Sequence, residues 1–80
     1  MIGFAGLSHL GIVSSAAAAA KGFDVAGYDS DASVCAALAD ARPPVVESGL
    51  PELLRDVASR TRYAADASVL AQCAPGCRLA

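Results

Sequence analysis

The hexapeptide Gly6-Leu7-Ser8-His9-Leu10-Gly11 and the aspartate at position 29 are the residues whose types and spacing could do chemistry. A short apolar run, Met1 to Ala5, leads into the hexapeptide, and an alanine-rich stretch follows it. Strand, glycine turn and helix start bring free backbone N–H groups and the positive end of a helix dipole to one point. Such a point binds phosphate. Gly6 would supply the tight turn, and Gly11 would let the helix lie close to the strand. The middle position of G-x-G-x-x-G is here Ser8. A positive φ at Ser8 would cost about 1–2 kcal/mol, and a negative φ close to nothing. Its hydroxyl can itself donate to a phosphate oxygen.

Asp29 lies 18 residues beyond Gly11, at the end of a second apolar run, Phe23 to Tyr28. There an acid can accept hydrogen bonds from the ribose hydroxyls of an adenosine. The plainer alternative is a solvated turn or a helix cap, but Asp31 can do the capping, which leaves Asp29 free. A 2′-phosphate about 4 Å from this carboxylate would be repelled by roughly 1–4 kcal/mol at dielectrics of 80 to 20. No lysine or arginine stands just after Asp29 to offset that, so NAD is favoured over NADP.

Other candidates carry less. His9, the only histidine, sits in a loop that faces phosphates and not a reacting carbon, so it reads as a surface side chain and not a general base. Lys21 complements a helix end. Cys35 reads as a small buried hydrophobe. Cys73 and Cys77 form C-x-x-x-C, which matches neither the redox C-x-x-C nor a paired zinc pattern. No catalytic residue and no metal ligand is predicted.

The elements that must hold these residues alternate. A helix is expected from Leu10 to Lys21, stopped by Gly22. A second helix, capped by Ser30 or Asp31, runs to about Asp40. Ala41 to Ser48, with Pro43 and Pro44, should be extended loop. Ser48 or Gly49 caps a third helix with Leu50, Leu53, Leu54 and Val57 on one face. Arg60 to Ala64 reads as a third strand, and Asp66 caps a brief helix to about Cys73. This is an α/β order: a Rossmann-like parallel sheet with flanking helices, incomplete at about three strands.

Eighty residues make one small domain or a piece of a larger one, burying roughly 60–65% of the surface exposed when unfolded. With 55% hydrophobic and 18% charged residues the chain is globular. A net charge of −2 gives no general attraction to nucleic acid or anionic membrane. No apolar run reaches about 18 residues, so no membrane span is predicted. MIGFAG lacks a basic n-region and a cleavage site and reads as mature structure. Three irregularly spaced cysteines fit a reducing cytoplasm.

Three stretches are more specific: IGFAGLSHLGIVSSAAAAAKGFDVAGYDSD, then PPVVESGLPELL, then RYAADASVLAQC. Together they resemble the start of the UDP-glucose 6-dehydrogenase family of nucleotide-sugar dehydrogenases. The glycine loop and acid are shared by many dinucleotide enzymes; VESGLPELL, similar to the family's E-P-G-L segment, picks out this one. The resemblance implies that Gly6, Leu7, Ser8, His9, Leu10 and Gly11 line the cofactor pyrophosphate and that Asp29 holds the adenosine ribose. It implies a parent enzyme that oxidises the C6 alcohol of UDP-glucose, or a related sugar nucleotide, to a carboxylate with NAD, as a homodimer. The family's basic residue five positions beyond the aspartate is here Val34, and its proline is here Ser48. After Cys73 the sequence APGCRLA replaces the expected strand, so residues 1–80 read as the amino-terminal part of the domain, truncated or frame-disrupted before a fourth strand. The rival readings are a β-hydroxyacid dehydrogenase, a non-enzymatic NAD-sensing module and a fragment without function of its own.

Overall fold

The computed structural model of the chain describes residues 1–73 and 78–79. Strand β1 (Ile2–Ala5) enters the glycine turn, and helix α1 (His9–Ala20) leaves it. Strand β2 (Val25–Tyr28) follows, then helices α2 (Ala32–Ala39) and α3 (Leu50–Asp56). A 3-10 turn (Ala58–Arg60) leads into strand β3 (Thr61–Ala64); a 3-10 segment (Ala67–Cys73) and the two-residue strand β4 (Arg78–Leu79) complete the order. The sheet order is β3-β2-β1-β4, with every pair parallel. Ile2 to Ala5 register with Val25 to Tyr28, which in turn register with Thr61 to Ala64. The three longer strands therefore end together, and the turn after β1 and Asp29 after β2 lie at the same edge.

Alternation along the strands divides the core. Phe4 and Val25 face α1, α2 and α3, where Ile12, Ala16, Ala19, Cys35, Leu38, Leu50, Leu54 and Val57 bury their side chains. Ala16 and Ala19 are fully buried, and methyl side chains let the α1 axis lie close to the sheet. Ser15, the one buried polar residue of the helix, donates to the Ile12 carbonyl and shares a 2.9 Å hydrogen bond with the Tyr63 hydroxyl of β3. On the opposite face, among the described residues, Ala26 packs with Val69, Tyr28, Ala64 and Leu70.

The helix ends are set by local chemistry. Gly22, at φ +100°, ends α1 by donating to the Ala19 carbonyl while Phe23 donates to Ala18. Asp31 caps α2 by accepting from the Ser33 amide at 3.0 Å. Ala41 ends α2 in the left-handed region (φ 57°), donating to Leu38 while Arg42 donates to Ala37. The loop expected to be extended from Ala41 thus begins with a residue still closing a helix. Gly49 precedes α3 at φ +80°, with no side chain to cap it.

One expectation needs correction. The brief helix before Cys73 is a 3-10 segment, tightened because so short a stretch gains little from α-helical cooperativity. Beside the three strands expected, Arg78 and Leu79 pair with Ile2 and Gly3 as a two-residue fourth. Two residues carry no legible periodicity, so nothing local marks this strand. Pro75, Gly76 and Cys77, on which the reading of a disrupted end rested, lie outside the described residues.

Candidate cofactor-binding site

The turn between β1 and α1 is fixed by its backbone. Gly6 has φ +100°, a conformation that strains any residue with a Cβ. A Cβ on Gly11 would press into the Gly6 carbonyl oxygen, well inside van der Waals contact. Gly11 is therefore what allows α1 to start so close to the strand, as the spacing predicts. Ser8 answers the question raised by the missing middle glycine: its φ is −71° and ψ 178°, extended backbone without strain. It precedes α1 without using its hydroxyl as a cap, which leaves that hydroxyl available as a donor.

The amides divide into two sets. Gly6 donates to the Tyr28 carbonyl at 2.8 Å and Leu7 to Asp29 Oδ2 at 2.9 Å. Among the described residues the next four, on Ser8, His9, Leu10 and Gly11, have no acceptor; the first helical bond is Ile12 to the Ser8 carbonyl. The first turn of α1 holds no acidic side chain to cancel the dipole. A cleft of about 260 Å³ opens here, lined by Phe4, Gly6, Ser8, Leu10, Gly11 and Ser14. Free amides, an uncancelled dipole and a loose hydroxyl around one cleft are the chemistry of an anion site, and they fit a diphosphate.

Leu7 departs from expectation. Its side chain is 4% exposed, packed in the core, and its amide is bonded to Asp29. It contributes no donor to the cleft, because an apolar residue between turn and strand is drawn inward. His9 Nε2 lies 3.0 Å from Glu47 Oε2, an ion pair about half exposed when the histidine is protonated. His9 is not among the residues that line the cleft; its open amide adjoins that of Ser8. Leu10 is exposed at the rim.

Asp29 is not left free, contrary to what capping by Asp31 implied. Oδ1 accepts from the Asp31 amide and Oδ2 from Leu7, each at 2.9 Å. These backbone donors, Asp31 first and Leu7 second, hold its carboxyl below the ordinary carboxylate value, so it is ionised at neutral pH. Each oxygen keeps a further lone pair for a hydroxyl. The carboxylate stands on the same side of the sheet edge as the turn, one residue from the open amides.

Two contributors were missed. Ser14, one turn into α1, lines the cleft, and Glu47 holds His9 across 38 residues of sequence. Nothing local marks either one. Among the described residues no three His, Cys, Asp or Glu gather as a metal site, and no helix is long and apolar enough to cross a membrane.

A parallel sheet whose central strand feeds a glycine turn and an open helix N-terminus, with an acid ending the next strand, defines a dinucleotide-binding α/β domain. The chain belongs to the UDP-glucose/GDP-mannose dehydrogenase family: the model of that family's NAD binding domain matches residues 1–75. Among solved structures it is similar to a GDP-mannose dehydrogenase from Pseudomonas aeruginosa in a ternary complex, with 28% identity and a TM-score of 0.78 over 81% of this chain. A UDP-glucose dehydrogenase from the hyperthermophilic archaeon Pyrobaculum islandicum shares 33% identity, with a TM-score of 0.78 over 84% of this chain. The chain spans 15% and 16% of those two proteins. No curated protein sequence matches. The family assignment bears out the resemblance carried by VESGLPELL and sets aside the β-hydroxyacid dehydrogenase reading.

Proposed function

We propose that this domain holds the adenosine diphosphate half of NAD for an oxidoreductase acting on a nucleotide sugar. The amides of Ser8, His9, Leu10 and Gly11 bind the pyrophosphate, helped by the Ser8 hydroxyl. Gly6 and Gly11 shape the turn, and Asp29 accepts from the adenosine ribose. The observation that carries the reading is the Asp29–Leu7 hydrogen bond, because it brings the ribose acceptor within one residue of the open amides. Leu7 serves through that bond and its packing and makes no phosphate contact.

When bound, NAD supplies a hydride acceptor. Oxidising a C6 alcohol of UDP-glucose or GDP-mannose to a carboxylate removes four electrons, hence two hydrides. This domain's own residues bind and orient the cofactor, and the reacting groups belong to other parts of the parent protein. A sugar-nucleotide substrate, a homodimer and a cytoplasmic location are part of this proposal.

The test is a spectrophotometric assay of the complete protein with UDP-glucose and GDP-mannose, each with NAD or NADP. The expected result is NADH formation with one of the sugars, at two NADH per sugar consumed, and little turnover with NADP. Activity with NADP equal to that with NAD would contradict the role of Asp29. No NADH with either sugar would contradict the assigned reaction.

A further inference from the structure

Every polar group of Asp29 already has one partner. Its amide donates to the Ala64 carbonyl at 3.4 Å, and its carbonyl accepts a weak bond from Cys35 Sγ at 3.5 Å. Its two carboxylate oxygens take the Asp31 and Leu7 amides. One residue thus ties together the ends of β2 and β3, the start of α2 and the turn that leads into α1. The turn needs such a tie. Gly6 begins the turn at φ +100°, with open space where a Cβ would be. Among the described residues two adjacent amides anchor it to the end of β2, Gly6 on the Tyr28 carbonyl and Leu7 on Asp29. The next four are the open ones.

We propose that Asp29 is a positioning residue for the phosphate turn in addition to accepting from ribose: by holding the Leu7 amide it aims the amides of Ser8 to Gly11 at the pyrophosphate. The inference rests on the NAD reading above and deepens it. It also explains why an anionic side chain stands beside an anion site. As a ribose acceptor alone, the carboxylate repels the pyrophosphate through simple Coulomb interaction. As a brace, it organises donors whose alignment is worth more than that screened repulsion. The two roles give opposite signs for a ligand that has phosphates and no ribose.

The experiment titrates the complete protein and its Asp29→Ala variant with NAD and with inorganic pyrophosphate, by calorimetry. Amide hydrogen exchange of Leu7 and of the β1–β2 core is followed alongside. The brace predicts that Asp29→Ala weakens pyrophosphate binding about fivefold, the loss of roughly one aligned hydrogen bond. Leu7 exchange should accelerate while the core amides hold their protection. Pyrophosphate binding that is unchanged or tighter in the variant, with NAD binding weakened, overturns the brace and keeps the ribose role. A wild-type protein that binds neither probe overturns the NAD reading itself. Should Asp29→Ala not fold, the wild type decides: a Leu7 amide protected well beyond Ser8, His9 and Leu10 supports the brace, and one exchanging as fast as they do overturns it.

Discussion

Ser8 shows how a departure from a motif can be harmless. The middle glycine of such a turn gives clearance for the phosphate, yet at φ −71° a side chain costs no backbone strain. Substituting Ser8→Gly therefore relieves nothing and removes a donor. NAD affinity should stay level or fall two- to threefold, read by calorimetry; a clear gain would mean that the Ser8 Cβ obstructs the cofactor. The aspartates make a second prediction at this scale. Asp29 is held down by the Asp31 and Leu7 amides, Asp31 by the Ser33 hydroxyl and amide, and Asp66 by the Ser68 amide and hydroxyl. Their carboxyls ionise more readily folded than unfolded. The stability they contribute is complete above the unfolded value near 3.9 and is lost as pH falls through the lower folded values. Thermal melts should show no loss from these groups between about pH 7 and pH 5, and a falling Tm below about pH 4. A Tm that stays level down to about pH 2 would contradict these bonds.

At the scale of elements, α1 is the part most tightly specified. Its N-terminus is fixed by Gly11 against Gly6 and its middle by Ser15 against Tyr63. Burial pushes the Tyr63 phenol up from its ordinary value, with the Ser15 bond acting the other way, so the hydroxyl stays protonated and available to Ser15. Tyr63→Phe should cost about 1 kcal/mol in urea denaturation, since Ser15 keeps its bond to the Ile12 carbonyl. A loss near zero would mean that the pair does not tie β3 to α1. The sequence made much of this layer legible: the three long strands, the Gly22 stop, the Asp31 cap and the leucines of α3 follow from periodicity and end chemistry. What stayed hidden depends on residues far apart in sequence. The Ser15–Tyr63 bond, the His9–Glu47 pair and the pairing of Arg78 with Ile2 form only once the sheet brings distant segments together. Ala41 was hidden for another reason, because nothing in an alanine signals a positive φ.

In the whole molecule, the two sheet faces are unequal. Three helices cover one face, and among the described residues the other meets only the Ala67–Cys73 segment. The site lies where the strands end, and there the sequence was most informative about residue types and least about bonding. It marked Gly6, Gly11 and Asp29 by spacing, but it could not show that Asp29 already holds Leu7 or that the His9 ring turns to Glu47. With those bonds the proposed reading uses a smaller set than the seven residues expected around the cofactor: four amides, one hydroxyl and one carboxylate. The most direct measurement of that set is an NAD titration of isotope-labelled protein, followed through backbone amide shifts. Saturable shifts largest at Ser8, His9, Leu10 and Gly11 are the predicted result; NAD binding that leaves those four amides unmoved would contradict it.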